Sequence, residues 1–401
     1  MNRYDVIVVG AGPGGAAAAY FLSKNGANVL LLDKANFPRD KTCGDALSPR
    51  ALIVMRKMGV LREVEDRGYV TDSIFFIAPN SKKVATSLSL VNSVPRKIVI
   101  IRRYILDHIL CRAAIKQGAE LHEGIKVLNI ENDEAGVSVT GKSNGRNVKY
   151  FGRVVIIATG ASTNLLLKTG IIKKQPEVMF ATRGYYENID LLDKEIQFIY
   201  SDISLPGYGW IFPTSDNSAN IGAGFFKSRN RRNSPNTSMG VFTQLINSPR
   251  LRKLLATANR VGKIKGFPLR IDFPNSKTYA KNMIVVGEAA GLVNPLTGEG
   301  IDYSLESGQI AAEELTSSLS NGDFTFANYD LRLRERYNKQ FIEFERIRKL
   351  FFGNKMALNI FFAAIEKDKE LMSSFLNIVV GYENPRKMVS LDNLWRYVFA
   401  M

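Results

Sequence analysis

Few folds are open to a chain that carries Asp5 to Lys34, DVIVVGAGPGGAAAAYFLSKNGANVLLLDK, near its start. Val6 to Val9 is the kind of unbroken apolar run buried in a parallel sheet, and Gly10, Gly12 and Gly15 set a G-x-G-x-x-G turn. Glycine meets three needs there: a sharp bend, backbone approach to a pyrophosphate, and close packing of helix on strand. A helix predicted from about Gly14 to Asn25 would aim free N–H groups and its positive dipole end at phosphates. A second strand, Val29 to Leu32, ends at Asp33, about twenty residues beyond the glycines, where a carboxylate accepts hydrogen bonds from a ribose diol. Strand, helix, strand and terminal acid in register predict a dinucleotide-binding βαβ unit.

Composition then excludes several classes of function. With 401 residues, 45% hydrophobic and 23% charged, the chain can bury one large core or two joined ones. Cys43 and Cys111 alone cannot build a disulfide framework and fit a reducing cytoplasm. His108 and His122 are the only histidines, so neither a histidine zinc site nor a Ser-His-Asp triad is expected, and no metal is predicted. No apolar run has the ~18 to 20 residues of a membrane span, and the unit begins at Tyr4, which leaves no room for a signal peptide ahead of it. These features predict a cytoplasmic protein. The net charge of +16 calls for an anionic partner or for solubility alone. Its cations are scattered with no aromatic-basic motif, which argues against nucleic acid and leaves phosphorylated substrates and anionic lipid headgroups.

Further along, Phe37 to Pro49, FPRDKTCGDALSP, reads as a loop. Ser73 to Ala78 and Val84 to Leu90 predict a hairpin outside the nucleotide-binding sheet, and Val99 to Asp107 a strand entering a helix that continues through Ala114. Leu121 to Leu128, Val137 to Val139 and Val154 to Thr159 predict short strands. From Glu177 to about Phe226 the chain turns to aromatic-rich strands, in which Tyr208, Trp210 and Phe212 alternate and so share one face. That face is a wall, which the pattern alone leaves open between core packing and ligand contact. Thr237 to Arg260 reads as helical and Gly262 to Arg270 as a strand. Met283 to Val286 predicts a strand ending at Gly287-Glu288 beside the cofactor, followed by the turn Asn294 to Asp302 and a helix from Tyr303 to Leu319. From Phe326 onward the pattern is helical, either as a lid on the body or as amphipathic surface helices.

Taken in chain order, the fingerprint, Arg103-x-x-Leu106-Asp107, Ala158-Thr159-Gly160 and the stretch from Gly287-Glu288 to Gly300-Ile301 resemble FAD-binding enzymes of the p-hydroxybenzoate hydroxylase fold. Within that group, Lys41-Thr42-Cys43-Gly44-Asp45 together with Tyr208-Gly209-Trp210-Ile211-Phe212-Pro213 resembles the geranylgeranyl reductase family. The resemblance covers about residues 4 to 320. It implies an α/β architecture: a Rossmann-like FAD-binding domain (1–72, 98–175 and 277–325) interleaved with a mixed, largely antiparallel sheet domain for substrate (73–97 and 176–276), plus a helical C-terminal region (326–401).

Residue by residue, the resemblance implies that Gly10, Gly12, Gly14 and Gly15 hold the pyrophosphate, Asp33 the ribose, Arg103 the phosphates and Val127 the adenine. Cys43 and Gly44 would lie near the flavin ring, Glu288 near the ribityl chain, and Gly300 and Ile301 at the isoalloxazine edge. Tyr208, Trp210, Phe212 and Pro295 would contact substrate, and Cys43 and Tyr208 are the candidates for proton donor. Glu288 stands where the family usually has Asp, and Thr159-Gly160 where it usually has Asp-Gly. The implied activity is reduction of polyprenyl double bonds in a lipid, diphosphate or quinone tail by hydride from reduced FAD. NAD(P)H or a ferredoxin-type protein would be the reductant, and a prenyl substrate makes peripheral membrane contact an expectation. The alternatives are a flavin monooxygenase or halogenase acting on an aromatic ring, and a non-catalytic flavoprotein that binds membranes or partners.

Overall fold

A computed structural model describes residues 3–91, 95–133, 136–226 and 237–390. The fingerprint folds as its pattern requires. Strand Arg3–Val9 lies between Val29–Leu32 and Arg146–Ile157, parallel to both, and its residues from Tyr4 to Val9 are buried except for Asp5. Helix Pro13–Lys24 crosses from the first strand to the second and packs on helix Ile301–Asn321. Gly308 makes that packing possible, since a Cβ there would stand 2.3 Å from the Gly14 carbonyl oxygen. The full sheet has eight strands among the described residues, with Met283–Val285 parallel beside Arg146–Ile157 and Glu120–His122 parallel beside Val29–Leu32.

Two departures from the sequence reading have local causes. The strand expected at Val154 to Thr159 is twelve residues long, Arg146–Ile157, because its first half forms a hairpin with Gly136–Ser143. The turn is Asn144-Gly145, both at positive φ (48° and 82°), the conformation that twists with its flanking strands. The single strand expected over Leu121 to Leu128 is broken at Gly124 (φ 70°) into Glu120–His122 and Ile125–Asp133. Strand Ile98–Ile100 joins neither large sheet; it pairs with Ala46–Leu47 and Tyr69–Thr71 in a small sheet of three.

The second large sheet has seven strands, in the order Asn259–Arg270, Val178–Glu187, Ser218–Phe226, Gly207–Ser215, Ile196–Ile199, Ser73–Ile77 and Lys83–Ser87. All neighbours are antiparallel except Ile196–Ile199 with Ser73–Ile77. The expected hairpin Ser73–Ser87 is its outer edge. Helices Lys355–Lys367 and Lys369–Val379 pack onto this sheet rather than standing free: Phe361, Phe362 and Phe375 are buried, and Phe76 meets Phe362 and Phe375 at ring separations of 5.6 and 5.5 Å. The C-terminal helices are thus a lid on the body, which an aromatic-rich apolar face of this size favours over exposure. Among the described residues no helix is long and apolar enough to cross a membrane.

Candidate functional site

A cavity of about 1000 Å³ runs from the glycine turn to the aromatic sheet. At its polar end the backbone does most of the shaping. Gly10 has φ 108°, and a Cβ there would stand 2.3 Å from the Ala158 carbonyl oxygen; a Cβ on Gly15 would stand 1.8 Å from that of Gly10. Gly12 differs, because a Cβ there meets nothing nearer than Arg39 Nη2 at 3.7 Å and Arg103 Nη2 at 4.0 Å. The space in front of Gly12 is therefore open and flanked by two guanidinium groups. Helix Pro13–Lys24 starts there with no side-chain cap and no acidic residue in its first turn, so its N–H groups remain available to an anion. Asp33, at the end of the second strand, accepts N–H bonds from Ala11 (2.8 Å) and Ala35 (2.9 Å), which fixes the carboxylate and leaves lone pairs for hydroxyl donors. These features fit the pyrophosphate and ribose of a dinucleotide.

The cations at this end are held in place. Arg103 Nε and Nη2 donate to the two oxygens of Asp107 at 2.6 and 2.7 Å, a bidentate pair one helical turn apart, and Arg39 Nη1 reaches Asp107 at 2.8 Å. Burial works against the charge of Arg103, but the Asp107 carboxylate outweighs it and moves its pKa upward. Lys41 is pulled the other way: burial, opposed by the Glu288 carboxylate, lowers its ammonium to about 8. Its Nζ sits 3.2 Å from the centroid of the Phe267 ring. Glu288 is itself pushed up by burial, and its Oε1 accepts the Arg270 N–H at 3.4 Å.

At the apolar end Tyr208, Trp210 and Phe212 line the cavity together, with successive rings 6.0 and 6.1 Å apart. Trp210 lies flat on the neighbouring strand, where a Cβ on Gly222 would come within 2.1 Å of its ring. Phe76, Phe198, Tyr200, Phe352 and Phe375 extend the wall. The pattern of alternation had left core packing and ligand contact open; these rings all line the cavity, and all but the half-buried Tyr208 and Phe198 are buried.

Between the two ends lies the loop Lys41–Asp45. Gly44 runs against the wall, where a Cβ would stand 3.0 Å from Phe212. The Cys43 thiol receives the Asp45 N–H at 3.3 Å, and burial raises its pKa, so it keeps its proton. Asp45, at φ 69° and fully buried, accepts from Tyr185 Oη (2.6 Å) and Asn220 Nδ2 (2.8 Å). Burial raises its carboxyl to about 6. Across the cavity, helix Ile301–Asn321 begins at Gly300 without a side-chain cap, its N-terminus lining the cavity with Gly298, Glu299 and Ile301.

Of the residues singled out from sequence, Gly10, Gly12, Gly14, Asp33, Cys43, Gly44, Arg103, Val127, Glu288, Gly300, Ile301, Tyr208, Trp210 and Phe212 all line this one cavity. Gly15 lies behind the turn, and Pro295 is buried with its neighbour Leu296 forming the lining instead. Tyr208 Oη donates to the Thr297 carbonyl, and burial raises its pKa. Sequence reasoning missed Arg39 and Asn220, and it quoted Lys41 and Asp45 within a motif without giving either a role. Asn220 had a signal: a lone amide in the apolar strand SANIGAGFF needs buried partners.

Comparison with known proteins agrees with this geometry. A family described as FAD binding domain matches residues 3–163, and one described as FAD dependent oxidoreductase matches residues 100–271. Digeranylgeranylglycerophospholipid reductase of Methanococcus vannielii is 30% identical over 347 residues, covering 84% of this chain and 84% of its own. Menaquinone reductase of Mycolicibacterium smegmatis is 32% identical over 381 residues, 87% of this chain and 85% of its own. Conditioned medium factor receptor 1 of Dictyostelium discoideum is 31% identical over 334 residues, 80% of this chain, which spans only 65% of that receptor. In overall fold the chain resembles a geranylgeranyl bacteriochlorophyll reductase-like protein of Thermoplasma acidophilum, with a TM-score of 0.82 at 21% identity over 98% of this chain and 100% of that one. On these grounds the chain belongs to the geranylgeranyl reductase family of FAD-dependent oxidoreductases.

Proposed function

We propose that this chain saturates carbon–carbon double bonds of a polyprenyl group borne on a lipid, a diphosphate or a quinone tail. The observation that supports it most is the continuity of one cavity, dinucleotide-shaped at one end and walled by aromatic rings at the other. Gly10, Gly12 and Gly14 would hold the pyrophosphate with Arg103 and Arg39 nearby, Asp33 the ribose and Val127 the adenine. Cys43, Gly44, Glu288, Gly300 and Ile301 would surround the rest of the cofactor. Bound and reduced there, FAD supplies a hydride to an alkene carbon.

The chain's own residues do the remainder. Tyr208, Trp210 and Phe212 exclude water and align an apolar chain against the loop that carries Cys43. Saturation also needs a proton. Burial keeps the proton on both donors named from sequence, but Tyr208 Oη is engaged with the Thr297 carbonyl, and this favours Cys43. Contact with an anionic membrane belongs to the same reading. It is supported by the charge of +16 and by Leu350 and Met356, which are 59% and 66% exposed on either side of the turn bearing the cavity residue Phe352.

The test is anaerobic. The purified protein is reduced with dithionite and given geranylgeranyl diphosphate, a geranylgeranylated glycerophospholipid and a menaquinone, and products are weighed by mass spectrometry. A gain of two hydrogens per bond on any of them is the expected result. No mass gain with flavin bound and reduced, together with NAD(P)H consumption that needs oxygen and an aromatic acceptor, would replace the reading with a monooxygenase or halogenase.

A further inference from the structure

Asn220 is fully buried at the junction of the two halves of the cavity, and its carbonyl oxygen and both of its N–H hydrogens are engaged. Its Oδ1 accepts the indole N–H of Trp210 at 3.0 Å. Its Nδ2 donates one hydrogen to the Cys43 carbonyl and the other to Asp45 Oδ2, both at 2.8 Å. Tyr185 Oη donates to the same Asp45 oxygen at 2.6 Å. The two ends of this link are different things. Trp210 is fixed to the wall by its contact with Gly222, and Cys43 to Asp45 is the loop that faces the cofactor end. Only a carboxamide of this length offers one acceptor and two donors in this geometry; aspartate has no donor and glutamine is longer by a methylene. Asp45 holds a left-handed backbone that a non-glycine residue adopts at a cost, so the loop needs an external restraint.

Resting on the reductase reading for its consequence but not for its geometry, we propose that Asn220 is the positioning residue that locks the Cys43–Asp45 loop to the Trp210 wall. It thereby holds the cofactor side and the substrate side of the chamber at one fixed separation. Hydride transfer tolerates little error in that separation, so the amide acts on rate through the loop and the ring rather than by touching the reacting atoms.

The test perturbs one end of the link and reads the other on the flavin-loaded protein. Cys43 reports on the loop, because its alkylation by iodoacetamide is scored by peptide mass and separated from that of Cys111, which is only 1% exposed. Asn220→Asp keeps an acceptor for Trp210 but places a carboxylate against Asp45 and the Cys43 carbonyl. It is expected to raise Cys43 alkylation about tenfold and to lower kcat on the prenyl substrate ~10- to 100-fold with KM nearly unchanged. Trp210→Phe keeps a smaller ring on the wall and removes the indole N–H together with part of the bicycle, and it is expected to raise Cys43 alkylation by a smaller factor. Asn220→Asp combined with Asp45→Asn restores a donor–acceptor pair and is expected to bring alkylation back toward the starting rate, which a general loss of stability would not do. Alkylation unchanged in both single variants, or a double variant as reactive as Asn220→Asp alone, overturns the proposal. If Asn220→Asp does not fold, Trp210→Phe decides it alone. The alkylation readout needs no substrate, so a chain that reduces no prenyl lipid would sink the reductase reading and leave this result standing.

Discussion

The glycine turn and the aromatic chamber are two halves of one cavity built in opposite ways. The turn is contiguous: strand, turn, helix and Asp33 all lie within the first 33 residues, and the groups facing the ligand are mostly backbone N–H and absent side chains. The chamber is gathered from afar, with Phe76, Phe198, Trp210, Phe352 and Phe375 brought from five separate elements or turns. A backbone-built site depends on where a Cβ is missing, whereas a side-chain-built site depends on packing that many residues share. The first should fail at single atoms, and the second should yield by degrees.

The largest effect should come from Gly12→Val. The turn has room for the new side chain as far as its neighbours are concerned, since the nearest atom to a Cβ is 3.7 Å away, but the space it fills is that of the pyrophosphate. The variant should purify folded and colourless, with absorbance near 450 nm lost and circular dichroism retained; a yellow Gly12→Val protein would break the comparison at its first term. Phe375→Ala should do the reverse. Removing a buried ring that packs on Phe76 and Phe361 should cost ~3 to 5 kcal/mol of stability in urea titration, with the protein still yellow. Loss of flavin from this variant would show that the two ends are not independent.

The smallest expected effect is electrostatic and tests the seam between them. Burial lowers Lys41 to about 8, so without ligand the folded protein releases a proton that the unfolded chain keeps until its ordinary value of 10.5. The unfolded state binds more protons in that window, and stability contributed by Lys41 therefore rises as pH climbs from about 8 to 10.5. An anionic cofactor nearby would favour the charged form and raise this pKa. FAD affinity should then weaken above pH ~8, by at most about tenfold per unit, and Lys41→Met should flatten that dependence when binding is followed by flavin fluorescence.

Much of the site was legible because its signals were local. The glycine spacing, Asp33 and the alternation of Tyr208, Trp210 and Phe212 each report a backbone conformation, and backbone conformation is written in nearby residues. What stayed hidden were contacts between distant segments. Nothing near Asp45 in sequence announces Tyr185 or Asn220, and nothing near Phe76 announces Phe375. The Asn144-Gly145 hairpin is different: its turn residues were in plain view, and the longer strand they imply follows from known turn chemistry.

By itself, then, the sequence determined that a dinucleotide binds at the start of this chain, because a turn with no room for a Cβ at Gly10 and Gly15 leaves its mark residue by residue. It also determined that three aromatic rings share one face of a strand. Only the tertiary structure decided that this face opens onto the dinucleotide site, that the C-terminal helices close over it, and that a single buried amide joins wall to loop. Those outcomes depend on which apolar surfaces find each other when the two sheets and the helices pack, and side-chain periodicity within one segment carries no information about its partner in another.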